Sequence, residues 1–118
     1  MTTPPEPPTR GEIWLVHLDP TEGDEIAKKR PCIVMSGTSV GRLNLRIVVP
    51  ITDWKDRYSV YPWMTRLEAS EENGLTKLSA ADAFQTRSVS LTRFVRYVGI
   101  LPDDRVNRIA TAIGLCIR

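Results

Sequence analysis

From Gly11 to Ser36 two short apolar runs flank a polar loop that ends in Lys28, Lys29, Arg30 and Pro31. No other stretch constrains the fold as tightly. Both runs are rich in β-branched and large apolar residues and are bounded by turn formers, so they read as strands over about Glu12 to Leu18 and Pro31 to Met35. In the first, Ile13 and Leu15 alternate with Trp14, Val16 and Leu18, which makes both faces apolar and predicts a strand covered on both sides. Asp19-Pro20 stops it. Within the loop Gly23 tolerates positive φ, and Pro31 holds Arg30 extended by disfavouring the helical region for the residue before it.

A chain of 118 residues is long enough for one domain with a real core and too short for two. Its net charge of +2 does not announce a nucleic-acid binder, so any basic site has to be local. Cys32 and Cys116 fit neither a metal-ligand spacing nor a disulfide framework, and His17 has no partner ligand. Both thiols are therefore expected to be reduced, buried and inert, with no metal site and no cofactor. No apolar run approaches the ~20 residues of a membrane span, and no signal-peptide core opens the chain, so the expected address is the cytoplasm.

Residues 1–9 carry Pro4, Pro5, Pro7 and Pro8, which predicts a disordered leader ahead of a single domain over residues 10–118. Gly37 to Asn44 reads as a loop. Leu45 to Ile51 reads as a third strand whose Pro50 suggests an edge or a bulge. Asp53 to Tyr61 is expected to be an exposed, mobile loop, followed by strands over Trp63–Leu67 and Leu78–Phe84. A short helical turn is expected around Ser90 to Arg93, then a strand from Val95 to Ile100. From Pro102 onward Val106, Ile109, Ala110, Ile113 and Ile117 recur at helical spacing, with Asp103 and Asp104 suited to the helix N-terminus. The class is mainly β (α+β): five or six short antiparallel strands, as a small barrel or half-open sheet, plus one C-terminal amphipathic helix.

These residues, taken together, resemble the MazF/PemK toxins of bacterial toxin-antitoxin systems. The resemblance runs through Arg10 to Trp14, Asp19-Pro20-Thr21, Gly23-Asp24-Glu25, Arg30-Pro31, Val48 to Thr52, the pair Gln85 and Arg87, and Gly99-Ile100-Leu101. Each piece is common; their order and spacing are not. The resemblance implies a homodimeric SH3-like barrel that cuts single-stranded RNA, such as mRNA, without metal at short sequence motifs and is silenced by a cognate antitoxin. Where the family usually has an aspartate after the Gln-x-Arg element, this chain has Ser90.

Cleavage by the substrate's own 2′-hydroxyl requires one proton taken, one given, and a stabilised phosphorane. The planar guanidinium of Arg30 suits the phosphate, since it donates two parallel hydrogen bonds and stays charged. Thr52, which the resemblance places beside Arg30, offers a hydroxyl to the same group. Glu25 is a candidate proton acceptor, though bracing Arg30 or a loop amide is the favoured role. His17 reads as an ordinary strand histidine. Gln85 and Arg87 could read base edges, bind a phosphate, or tie the sheet together. Lys28, Lys29, Trp54, Lys55, Arg57 and Tyr58 combine cations with ring faces as single-stranded RNA binders do. Two other functions use the same scaffold: a toxin that binds a protein target such as gyrase, and a barrel that binds RNA without cutting it. The known gyrase poisons rely on a C-terminal tryptophan, which this chain lacks.

Overall fold

A computed structural model describes residues 7–37 and 43–118. Seven strands follow in order: β1 (Glu12–His17), β2 (Lys29–Val34), β3 (Leu45–Asp53), β4 (Met64–Leu67), β5 (Ser79–Asp82), β6 (Arg87–Ser90) and β7 (Phe94–Ile100). The helix α1 (Asp103–Ile117) closes the chain. The strands form one antiparallel sheet, ordered β4-β5-β3-β2-β1-β7, that does not close into a barrel. The half-open alternative is thus the one adopted. The strand missed in the sequence is β6, whose Arg-Ser-Val-Ser carries too little apolar signal; pairing with Leu45–Val48 of β3 makes it a strand.

The long strand β3 is the hub. One edge pairs with β2, while the other pairs first with β6 through Val48 and then with β5 from Ile51. Pro50 sits in the gap between those two pairings, where its missing N–H breaks no ladder. It therefore marks a change of partner inside the sheet, not the edge its sequence suggested.

Alternation sends neighbouring side chains to opposite faces, and both faces of the central strands are covered, as the sequence of β1 predicted. Ile13, Ile33, Val49, Ile51 and Val98 pack with Leu67, Leu75 and the helix residues Val106 and Ile109. On the opposite face Trp14, Val16, Cys32, Val34, Val48 and Val89 pack together, with Phe94, Tyr97 and Ile26 against them. Ile109 is fully buried, which contributes roughly 1.5–3 kcal/mol from its side chain alone. Ile117, placed on the apolar stripe by its spacing, instead lies 79% exposed beyond the last core contact.

Asp82 ends β5 by accepting a hydrogen bond from the Phe84 amide at 3.1 Å, which starts a single 3₁₀ turn over Ala83–Gln85. The expected helical turn near Ser90 is a second 3₁₀ turn over Leu91–Arg93, capped by Ser90 Oγ at 3.3 Å from the Thr92 amide. Asp53 to Tyr61 is more ordered than a bare loop, because Asp56–Val60 forms a third such turn. Of the leader assigned to residues 1–9, residues 1–6 lie outside the described residues, whereas Pro8 is buried and its carbonyl accepts from Arg46 Nε at 2.8 Å. Most of the loop from Gly37 to Asn44 (residues 38–42) also lies outside them. No helix among the described residues is long and apolar enough to cross a membrane.

Candidate active site

The loop from Leu18 to Lys28 joins β1 to β2 and delivers Arg30. At its base the Leu18 amide donates to the Lys28 carbonyl at 2.9 Å, and Asp19 Oδ1 accepts from the Lys28 amide at 3.1 Å. Lys28 adopts a φ of 68°, an unusual conformation for a residue with a side chain, and the carboxylate of Asp19 holds its amide there. At the loop's tip Glu25 Oε1 accepts from the Glu22 amide at 2.6 Å, and the Glu25 amide donates to the Glu22 carbonyl at 3.1 Å. The carboxylate of Glu25 is therefore engaged with a loop amide and is not paired with Arg30.

Gln85 and Arg87 grip this loop from across the sheet. Gln85 Oε1 accepts from the Ile26 amide at 3.2 Å, and its Nε2 donates to the Asp24 carbonyl at 3.2 Å. Arg87 Nη2 donates to the Ile26 carbonyl at 3.3 Å and to Gln85 Oε1 at 3.2 Å. A third clamp went unnoticed in the sequence: Arg93 Nη1 donates to the carbonyls of His17, at 3.2 Å, and of Asp19. Its position follows from the turn that Ser90 caps. The serine at the divergent position thus does what an aspartate would also do, since both are good N-cap acceptors. A lone arginine that acts on backbone carbonyls leaves no pattern in a single sequence.

Arg30 is half-buried on β2, with Nε 3.4 Å from the Ala27 carbonyl. The β2–β3 register pairs Cys32 with Pro50, and continuing it by two residues sets Arg30 opposite Thr52. By alternation Arg30 shares the face of Cys32, and Thr52 shares the face of Val48, which is opposite Arg87. Arg30 and Thr52 also line one cavity of about 240 Å³, together with Asp53, Lys77, Ser79 and Arg96. Two larger clefts, of about 540 and 730 Å³, run between β4 and α1, away from Arg30 and Thr52.

Lys28 and Lys29 are exposed beside the loop, and His17 is exposed opposite Lys29. Beyond Thr52 the expected RNA-binding group is built around ring contacts. Trp54 meets Tyr58 edge-on at 5.8 Å, with Arg57 5.3 Å over Tyr58 and Arg66 5.8 Å over Trp54. The chain of rings continues through Tyr61, stacked on Trp63 at 4.8 Å, to Phe84. Lys55 is exposed, whereas Trp54 and Tyr58 are half-buried. The aromatic residues spaced along the sequence therefore form a continuous ladder of ring contacts.

Burial pushes the Cys32 thiol up to about 12, with Arg87 pulling the other way, which favours the protonated thiol at neutral pH. Cys116 is only half-buried, contrary to the expectation for both thiols. Burial also raises Asp82, opposed by the amides of Phe84 and Gln85. No group of three or more His, Cys, Asp or Glu side chains among the described residues could hold a metal ion.

An open antiparallel sheet of seven strands with one terminal helix is an architecture that known proteins share. Residues 9–117 match the family of PemK-like, MazF-like toxins of type II toxin-antitoxin systems, and the chain belongs to that family. Endoribonuclease MazF9 of Mycobacterium tuberculosis is 36% identical over 112 residues, covering 90% of this chain and 92% of the relative. MazF from Deinococcus radiodurans shares the fold with a TM-score of 0.74 at 20% identity, over 98% of this chain and 96% of that one. An endoribonuclease solved in complex with its cognate antitoxin, from a mycobacterial species, matches with a TM-score of 0.72 at 16% identity over 93% and 94% of the two chains.

Proposed function

We infer that this chain is the endoribonuclease toxin of a toxin-antitoxin system and that it cuts single-stranded RNA at short sequence motifs in the cytoplasm. Family membership and the MazF9 likeness support the activity. The site reading is supported by the β2–β3 register, which when continued two residues beyond the Cys32–Pro50 pair brings Arg30 level with Thr52, and by the cavity that both residues border.

The substrate supplies its own nucleophile. The 2′-hydroxyl loses its proton, its oxygen bonds to phosphorus, and the bond from phosphorus to the 5′-oxygen breaks as that oxygen gains a proton. The products are a cyclic phosphate and a 5′-hydroxyl. Arg30 donates to the phosphate oxygens, where charge accumulates in the transition state, and needs no metal to do so. Thr52 donates to the same phosphate or accepts from the attacking hydroxyl. Gln85, Arg87, Arg93 and Glu25 seat the loop, and Lys28, Lys29, Trp54, Lys55, Arg57 and Tyr58 flank the strand of RNA.

Two partners complete the proposal. A cognate antitoxin is supported by the structural neighbour bound to one. A second copy of the chain suits Val60, Phe84 and Ile117, which are 76%, 66% and 79% exposed near the ring ladder and the end of α1.

The test is cleavage of an RNA pool, in the presence of a chelator, by wild type, Arg30→Ala and Thr52→Val. Loss of a preorganised donor should lower kcat about 10²- to 10³-fold for Arg30→Ala. A lost hydrogen bond to a charged group should cost Thr52→Val about 10- to 100-fold. Equal cleavage by all three proteins would refute the assignment.

A further inference from the structure

Asp82 ends β5 as a buried charge without a partner cation. It is 9% exposed, stands opposite Met64 of β4, follows the fully buried Ala80 and Ala81, and forms no ion pair among the described residues. The titratable group set against it from α1 is the Cys116 thiol, pushed up first by its own burial and then by the Asp82 charge. Burial likewise holds the Asp82 carboxyl above its usual value, and the amides of Phe84 and Gln85 oppose this. A buried charge with no counter-ion weakens a fold unless hydrogen bonds compensate it, so those two amides are what the carboxylate is there to hold.

Both amides belong to the single 3₁₀ turn Ala83–Gln85. Asp82 Oδ1 accepts from the Phe84 amide at 3.1 Å, and the Gln85 amide donates to the same carboxylate. The turn's backbone anchors lie at its ends: the Ala83 amide donates to the Trp63 carbonyl, and the Thr86 amide to the Ala83 carbonyl, each at 3.2 Å. From this turn the Gln85 side chain reaches the Ile26 amide and the Asp24 carbonyl, each at 3.2 Å. One end of the clamp is therefore the loop, and the other is held by Asp82.

We propose that Asp82 is a positioning residue for RNA cleavage: by capping this turn it fixes Gln85, and through Gln85 it seats the loop that sets Arg30. The proposal rests on the ribonuclease reading of Arg30 and extends it to the group that holds the clamp in place. Asp82 lies outside the Gln85–Arg87 pair and makes no hydrogen bond to the loop itself. Its effect on cleavage must therefore pass through Gln85, which separates it from a residue that serves the fold alone.

The test compares Asp82→Ala and Asp82→Asn, each with and without Gln85→Ala, on a single-stranded RNA that wild type cuts. Asparagine keeps an oxygen at the capping position and caps about as well as aspartate, so Asp82→Asn should stay within about 3-fold of wild type in kcat/KM. Asp82→Ala removes the cap and should lose about 5- to 30-fold. In the Gln85→Ala background, where the clamp is already gone, the same change should cost less than about 2-fold. Hydrogen exchange at the Ile26 amide should quicken in Asp82→Ala and match wild type in Asp82→Asn. Calorimetry should show both variants folded at the assay temperature, since each removes a buried charge. Wild-type activity in Asp82→Ala, a loss retained in full beside Gln85→Ala, or an equal loss in Asp82→Asn would each overturn the proposal. Failure of the ribonuclease reading is separate: wild type would then cut no RNA, while exchange at Ile26 would still report whether Asp82 seats the loop.

Discussion

Gln85→Ala and Gln85→Glu together separate a clamp from a base reader. In the clamp, Gln85 makes two bonds directly to the loop, from the Ile26 amide at 3.2 Å and to the Asp24 carbonyl at 3.2 Å, and a third that steadies Arg87 at 3.2 Å. Alanine removes all three. The bond to Asp24 is solvent-exposed and counts at the low end, so at about 0.5 to 1.5 kcal/mol each the direct pair amounts to about 2 kcal/mol of loop seating. Arg30 follows this loop by two residues and bonds the Ala27 carbonyl, so an unseated loop releases the guanidinium. The expected loss is therefore roughly 30-fold in kcat/KM.

Glutamate keeps the acceptor for Ile26 and strengthens the bond from Arg87 by adding charge, losing only the donor to Asp24. Gln85→Glu should stay within about 3-fold of wild type. Hydrogen exchange at the Ile26 amide should accelerate in the alanine variant alone, with the unfolding temperature little changed because the loop is largely exposed. A residue that reads a base edge would behave otherwise: glutamate loses the donor, fails as badly as alanine, and shifts the cleaved sequence. That pattern, or full activity in Gln85→Ala, would refute the clamp.

Two further outcomes test the fold. In Gly99→Ala the new methyl group would strike the backbone of Glu72 and Asn73, forcing apart a contact that the Ile100 amide makes with the Glu72 carbonyl at 2.9 Å. The variant should lose about 3 kcal/mol, or roughly 10 °C in unfolding temperature by calorimetry, and an unchanged transition would disprove the close approach. Native protein should expose one thiol to a thiol reagent at neutral pH, Cys116, with Cys32 reacting only after denaturation. Because burial raises the folded pKa of Cys32 from 9.0 to about 12, its contribution to stability is complete below about pH 9 and declines from there to about pH 12. Cys32→Val should flatten that alkaline decline, and an identical pH profile would contradict the burial.

The division between local and tertiary information follows from particular residues. Alternation in Glu12–His17 and helical spacing in Asp103–Ile117 fixed element types, since each depends on neighbours a few positions away. Pro31 fixed the extended backbone at Arg30 for the same reason. Arg87–Ser90 remained unreadable because only pairing with β3 makes it a strand. The alanines of Ser79–Asp82 gave a weak strand pattern, yet Ala80 and Ala81 are fully buried between neighbouring strands.

The site divides in the same way. The sequence, through its family resemblance, singled out Arg30, Thr52, Gln85 and Arg87, but spacing alone leaves the roles of Gln85 and Arg87 open between reading a base and holding structure. Tertiary structure brings them onto the loop, across sequence separations of 59 and 61 residues, and adds Arg93 across 76. It also joins Leu15, Thr52, Lys77 and Arg96 around one cavity. Local sequence determines what a segment becomes, because backbone preference and alternation act over a few residues. Which side chains then share a cavity is decided by strand order and register, which exist only once distant segments have paired.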